Sequence, residues 1–391
     1  METIGNLIDK LTIVNIRIWT AEDIKRDKSV NDKQIADATK ITNISNSQRN
    51  DLIQEIDEKI NHMIKTGDLQ KLYSQGSSKM YGKDWLVSVL ITGGSGLLGS
   101  HLNIKDSYKP SSKELNLLNY SELQRFIETN NIKKIVHCAA LVGGVHANKS
   151  KIYDFFNLNL QINLNVINAC KMFNLHNSVF ILSTCILPAN GPFPLTEEML
   201  HAGEPHYTNY GYAYAKRMLE VGAKSMLEQY NTKAICVIPC NFYGPNDNHN
   251  LEYGHVIPSL IHKCYLAIKN NTDLIVWGSG KPEREFIYVK DLAYVIEQLI
   301  NTGDIIDYPQ SVIISSNKSY SIKSITKLIV QKMNFKGNVI FDKTKPDGIL
   351  KKPTNNALFT KYFPNYNYVS LENGLDCSIY HFTKNYPNIR K

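Results

Sequence analysis

The chain has 391 residues, 43% of them hydrophobic, and a formal charge of +8. That length permits two or three domains with a sizeable core. No apolar run approaches the ~20 residues of a membrane span, and no basic–aromatic tract suits nucleic acid, so anionic small molecules are the expected partners. Seven cysteines without metal-ligand spacing read as reduced thiols, and no metal is expected. Glu2, Asp9 and Lys10 interrupt the start of the chain, so no secretory signal is read there and the expected location is cytoplasmic.

In chain order, Ile4, Leu7, Ile8, Leu11 and Val14 follow helical spacing, and so do Leu52, Ile53, Ile56, Ile60 and Ile64. This predicts a small helical domain over 1–82, ending in a polar Ser/Gly/Lys linker over 76–82. Glu22 and Asp23 could serve as metal ligands, but a solvated helix face accounts for them. Next comes an apolar run over 86–91, read as a buried parallel strand. It leads into Gly93-Gly94-Ser95-Gly96-Leu97-Leu98-Gly99. Glycines there allow a tight turn, close approach of backbone to a pyrophosphate, and a following helix whose N-terminus faces the phosphates. Alone, such a turn is a weak signal.

Only about thirteen residues, 100–112, remain for a helix and the next strand, where a crossover alone takes a dozen or more. The helix must be short or the strand rudimentary. Ser111, Ser112 and Lys113 fall where that strand should end, and no acidic residue stands in the ribose-binding position. Hydroxyls and a cation suit a 2′-phosphate, so NADP is favoured over NAD, although Glu114 is adjacent and a solvated loop also fits. Residues 134–140 read as a strand, 158–173 as a helix with Leu160, Leu164, Ile167 and Cys170 on one side, and 179–182 and 234–238 as further strands. The alternation predicts a doubly wound α/β sheet with Ser183, Cys185 and Asn241 at the carboxyl ends of its strands.

Tyr212 and Lys216 are four residues apart on a predicted helix, hence on one face. The pair is common by chance, but here it follows a glycine turn and a strand–Ser in the order of a nicotinamide-dependent reductase. The lysine charge is expected to lower the phenol pKa from ~10, while Ser183 donates a second hydrogen bond to the same carbonyl oxygen. Cys185 and His255 add a thiol and an imidazole, each of which could also be an ordinary core residue.

The stretches A-A-L-V-G-G (139–144), L-S-T-C-I-L-P (182–188), G-Y-A-Y-A-K-R-M (211–218), N-F-Y-G-P-N-D-N (241–248), G-H-V-I-P-S-L-I-H-K (254–263), V-W-G-S-G-K-P-E-R-E-F-I-Y-V (276–289) and K-P-D-G-I-L-K-K (345–352) resemble, in order and spacing, the GDP-L-fucose synthases of the extended short-chain dehydrogenase/reductase superfamily. The resemblance implies a Rossmann domain over 83–250 and a smaller α/β substrate-binding region over 251–391, partly interleaved with it. It implies NADPH-dependent 3,5-epimerisation and 4-reduction of a GDP-4-keto-6-deoxy sugar, and a homodimer. Ser183, Cys185, Tyr212, Lys216 and His255 take the catalytic positions. Cys185 and His255 form an acid–base pair whose individual roles stay open.

By the same resemblance, residues 93–99 with Lys113, Ile181, Leu182, Ser183, Thr184, Tyr212, Lys216, Pro239, Cys240, Asn241, Phe242 and His255 would meet the cofactor. Lys263, Trp277, Arg284, Asp347 and Lys352 would meet the nucleotide-sugar. Lys263 stands where some relatives carry Arg, Leu187 where an aromatic is usual, and Cys240 where Thr is usual. Stretches near Trp19 and Arg49 resemble an uncharacterised helical domain of bacterial surface-glycan gene clusters, for which packing, oligomerisation or partner binding is the expected role. Other readings are a related nucleotide-sugar enzyme, such as a C4 epimerase with bound NAD, or a glycan-assembly protein in which the reductase fold is a scaffold.

Overall fold

The computed structural model describes residues 4–27, 29–66, 88–302 and 308–391, which fall into two compact units, residues 1–82 and 83–391. The predicted linker over 76–82, and Leu86 and Val87 of the predicted strand, lie outside the described residues.

The first unit is a helical pair, α1 (Ile4–Arg26) and α2 (Asp32–Thr66). Its interior is thin: Leu7, Val14 and Ala21 of α1 and Ala38, Thr42 and Ser45 of α2 are buried. Two helices share one seam, so much of each apolar stripe has no partner inside the unit. Ile8, Ile53, Ile60 and Ile64, which the spacing put on apolar faces, are exposed, and Trp19 is 69% exposed. Glu22 and Asp23 pair along the helix with Lys25 at 2.5 Å and Arg26 at 3.9 Å. Among the described residues no group of three or more His, Cys, Asp or Glu could hold a metal ion.

The second unit is built on β1 (Ser88–Thr92), β2 (Ser107–Tyr108), α3 (Tyr120–Thr129), β3 (Ile132–His137), α4 (Val145–Ser150), α5 (Ile152–Met172), β4 (Ser178–Ile181), α6 (Tyr210–Tyr230) and β5 (Ala234–Pro239). It continues through β6 (Asn241–Tyr243), α7 (Val256–Asn270), β7 (Leu274–Trp277), β8 (Glu283–Tyr288), α8 (Val289–Asn301) and β9 (Ser311–Ile314). Last come β10 (Ser319–Ser321), α9 (Ile322–Lys332), β11 (Val339–Asp342), α10 (Ala357–Tyr362) and α11 (Leu371–Asn385). Six strands form one parallel sheet in the order β2-β1-β3-β4-β5-β9. The direction of winding reverses beside β1, which opens a crevice at the carboxyl ends of β1 and β3. β9 enters this sheet from well beyond residue 250. Two small sheets, β10-β8-β6 and β11-β7, carry the later segments.

Apolar strands explain the sheet. β1, β4 and β5 are buried at every position, as strands covered by helices on both faces must be. One hydrophobic cluster lies on each side of the sheet: Val89, Ile91, Val136 and Val179 face one, and Leu90, Ile135 and Phe180 the other.

Three expectations need correction. The glycine turn is not followed by a regular helix; residues 93–101 are successive turns, with Gly96 N donating to Gly93 O and Ser100 N to Gly96 O. The chain is too short there for both elements, and β2 shrinks to two residues as well. Because β2 ends at Tyr108, Lys113 is not at a strand end but in a turn five residues on. Lys109 takes the strand-end place, packed so closely on Gly94 that a Cβ there would lie 2.6 Å from its own.

The third correction concerns α5, whose buried side carries Phe155, Asn159, Asn163, Val166, Ala169 and Cys170, while Leu164 is exposed. The asparagines win the interior because they give partners to polar groups of a loop, a strand and a helix that meet there. Asn159 bridges both backbone groups of Leu141, and Asn163 joins His137 Nε2 to Ala215 O.

Candidate active site

The glycine turn sits at the carboxyl end of β1. Gly93 has φ +68°, and a Cβ there would lie 2.9 Å from the Ala139 backbone, so only glycine fits. At Gly99 a Cβ would come within 2.4 Å of Gly93 O. Gly96 differs: a Cβ would meet only Gly93 O, at 3.1 Å, with open space beyond. The backbone there is bare toward the crevice.

At the end of β4 the chain turns through a short 3-10 segment, Thr184–Ile186. Ser183 caps it, its Oγ accepting from Cys185 N at 3.2 Å. Three cations hold the carbonyls of this stretch. Lys216 Nζ donates to Ile181 O at 2.8 Å, Arg217 Nε to Ile186 O at 2.6 Å, and Lys352 Nζ to Leu187 O at 2.7 Å. The helix α6 supplies the first two cations together with Tyr212. Its contact side is built of small residues, and Gly211 lets it approach α5 so closely that a Cβ would lie 2.6 Å from Ile152 O.

Burial controls the electrostatics. It pulls the Lys216 amine down to about 8 from an ordinary 10.5, with the Cys138 and Cys236 thiols opposing it. It pushes the Tyr212 phenol up, and Cys185 adds to the rise. The expected lowering of the phenol by Lys216 is thus not seen: desolvation outweighs any ammonium charge, and that ammonium is engaged by the Ile181 carbonyl. Lys352 is likewise pulled to about 8, mainly by burial. The charge interactions bring Cys185, Tyr212, Arg284 and Lys352 together, because Cys185 acts on each of the other three. Arg284 lies beside Asp347 as well, whose carboxylate accepts from Ser279 N at 2.6 Å and Ser279 Oγ at 2.7 Å.

His255 arrives from another direction, as the residue capping α7 in extended backbone. Its side chain keeps 48% of its surface exposed although protein atoms crowd the ring. That crowding holds its pKa below the ordinary 6.5, and Arg390 adds to the effect. Lys263 and Trp277 meet at the edge of the small β11-β7 sheet, with Lys263 Nζ 4.1 Å from the indole centroid and Lys345 Nζ 5.3 Å from it. Pro239 ends β5, Cys240 is buried after it, and Asn241 Nδ2 donates to Glu285 O at 3.0 Å.

Sequence reasoning passed over four residues that the fold brings to these groups. Lys345 and Asp247 lie inside the quoted stretches 345–352 and 241–248, so attention to every charge in those stretches would have found them. His206, which lies within the fields of Lys352 and Arg284, and Arg390, which faces His255, belong to no stretch with a signal.

Residues 89–314 match the family described as NAD dependent epimerase/dehydratase, and residues 2–76 match a family described as a protein of unknown function (DUF4254). The chain is 39% identical over 313 residues to a GDP-L-fucose synthase of Dictyostelium discoideum, an alignment covering 78% of this chain and 98% of the relative. It is 33% identical to a GDP-L-colitose synthase of Yersinia pseudotuberculosis, covering 76% and 98%. A crystal structure of a GDP-L-fucose synthetase from Naegleria fowleri bound to NADP superposes with TM-score 0.70 at 33% identity, covering 78% and 95%. Glycine turn, serine-capped segment and Tyr–Lys helix thus occur in a chain that belongs to the NAD dependent epimerase/dehydratase family and, within it, to the GDP-L-fucose synthases.

Proposed function

We propose that the chain converts GDP-4-keto-6-deoxymannose to GDP-L-fucose by epimerisation at C3 and C5 and NADPH-dependent reduction at C4. The observation that supports this most directly is the meeting of Cys185, Tyr212, Arg284 and Lys352 beside the Ser183 segment. An acid–base group, a proton donor and two cations there suit a ketone carried on a diphosphate.

The residues also fit the cofactor. Bare backbone at Gly96 leaves room for a pyrophosphate, the buried Lys216 amine offers a cation to the nicotinamide ribose, and Lys109 with the turn at Ser111, Ser112 and Lys113 offers donors for a 2′-phosphate. Bound NADPH supplies the hydride. On the protein side, a phenol whose pKa is raised stays neutral near pH 7, the form that can give a proton to the C4 oxygen. Ser183 holds that oxygen from a second direction, and the two donors together would stabilise the enolate formed when a proton leaves C3 or C5. Cys185 and His255 serve as the acid–base pair for those carbons. Arg284, Lys352 and Lys263 take the diphosphate, with Trp277 against the sugar or base and Asp347 fixing the loop beside them.

Within the second unit, 83–250 would hold the cofactor and 251–391 the sugar nucleotide, while 1–82 adds no chemistry. A homodimer in the cytoplasm completes the reading; among the described residues no helix is long and apolar enough to cross a membrane. Incubation with GDP-4-keto-6-deoxymannose and NADPH, followed by product analysis, tests it. Stoichiometric NADPH oxidation with GDP-L-fucose as product is expected, and no oxidation would sink the proposal. A different GDP-4-keto sugar is the second reading, favoured by the likeness to the colitose synthase and by Leu187 and Cys240 where the family usually has other residues.

A further inference from the structure

We propose that Asp247 is a positioning residue for His255: its buried carboxylate receives the Nδ1 hydrogen of the imidazole and so turns Nε2 toward the sugar. This rests on the reading of His255 as one of the acid–base pair.

Asp247 is 3% exposed, and its two oxygens are unequally used. Oδ1 accepts from Asn248 N at 2.7 Å, whereas Oδ2 is buried with no hydrogen-bond partner among the described residues. Burying a carboxylate oxygen without a donor is costly, so a group left in that state asks for a reason. The nearest cationic or imidazole nitrogen is His255 Nδ1, 4.0 Å from Oδ1 and about 1 Å beyond hydrogen-bond reach.

The backbone is arranged to keep these two groups adjacent. A Cβ at Gly254 would lie 2.6 Å from Asn248 O and 2.5 Å from Asn250 O, so the loop after Asp247 folds back tightly onto the residue before His255. His255 itself is anchored through its carbonyl, which accepts from Ser259 N at 3.1 Å in the first turn of α7. With both main chains fixed and the imidazole partly exposed, rotation of the ring is the motion that closes the gap.

Charge fits the same role. Burial raises the Asp247 carboxyl to about 7 against the opposing effects of Asn248 N–H and Arg390, while His255 is held below its ordinary value by burial and Arg390. Arg390 is thus the charged group that faces both. Burial favours the neutral form of each group, and a neutral imidazole can give its Nδ1 hydrogen to the carboxyl. By accepting from one ring nitrogen the carboxyl fixes which nitrogen is offered to a ring carbon, and once ionised it would also favour the imidazolium.

The test reads titration and chemistry separately. In the wild-type protein without substrate, the His255 Cε1–H and Asp247 side-chain carbon resonances should each report the other's titration; independent single-step curves would overturn the proposal. Asp247→Asn should lower the His255 pKa by about one unit. It should also slow solvent-deuterium entry at the epimerised carbons about tenfold while the KM for NADPH stays unchanged. An unaltered His255 titration in a folded variant would count against the role. Should that variant not fold, Asp247→Glu, which keeps the carboxyl, should leave the His255 titration responsive to it, and a His255 curve independent of that carboxyl would again overturn the proposal. Uncoupled titration in an active enzyme rejects Asp247 alone. Coupled titration in a wild-type protein that moves no ring deuterium rejects the reaction, and the role with it.

Discussion

Tyr212 and Lys216 occupy one turn of a helix buried along most of its length, while Cys185 and His255 stand at the edges of elements, one in a 3-10 turn and the other at a helix cap. The helical pair is held by packing: glycines let α6 approach α5, and burial is the largest cause of both pKa shifts. The other pair sits on backbone held by polar contacts, with Cys185 half-buried and the His255 side chain 48% exposed. Proton delivery to one fixed oxygen suits a rigid donor, whereas inversion at two carbons of one ring needs groups that can reach each in turn.

Separate failure of the two pairs is the sharpest way to break this comparison. Tyr212→Phe should cut NADPH oxidation by ~10²–10⁴-fold, the usual weight of a general acid, while deuterium exchange at C3 and C5 persists within about tenfold; equal loss of both would merge the pairs. Cys185→Ser should do the reverse and slow exchange by ~10²-fold with cofactor affinity unchanged, as read by NADPH titration.

A milder test uses pH. The Lys216 amine titrates at about 8 in the empty pocket, so raising pH through that value removes a cation and should weaken NADPH binding by up to ~tenfold per unit. An anion bound beside it moves the limb upward, so dissociation constants are to be compared with titrations of the free protein. Lys216→Met should flatten the profile. Smallest of all, removal of residues 1–82 should leave turnover within about twofold, because the D. discoideum relative matches at 98% of its length against 78% of this chain. A larger loss in a still-folded protein would give the helical pair a part in the chemistry.

Much of the α/β unit was legible because buried parallel strands are written as short apolar runs, and the runs near β1, β3, β4 and β5 all became strands. The misreadings have local causes. The spacing of Leu160 and Leu164 suggested a buried face on α5, but Asn159 and Asn163 took it, since polar partners on a distant loop, strand and helix are invisible to periodicity. Lys113 was misplaced because a two-residue strand leaves no pattern from which to count. In the site, Tyr212 and Lys216 could be read from spacing alone. Asp247 could be picked out as a charge within a quoted stretch but its approach to His255 could not, and Arg390 carried no signal at all, because these meetings depend on the folding of residues 8 and 135 positions away. The exposure of the apolar residues in α1 and α2 was equally unreadable, since a helical repeat tells which residues share a stripe and not whether anything covers it.

The three carbonyls clasped by Lys216, Arg217 and Lys352 make the Ser183–Cys185 stretch a latch whose pins are also wanted elsewhere. An anionic ligand that recruits Lys216 or Lys352 withdraws a pin from one end, whereas Arg217, bound also to Gly203 O, still holds Ile186 O next to the Lys352 end. Ligand arrival should therefore loosen the amides at the two ends of the stretch even as the rest of the crevice tightens. Hydrogen exchange would register that as faster labelling of the Ser183–Cys185 stretch on binding, the opposite of the usual protection.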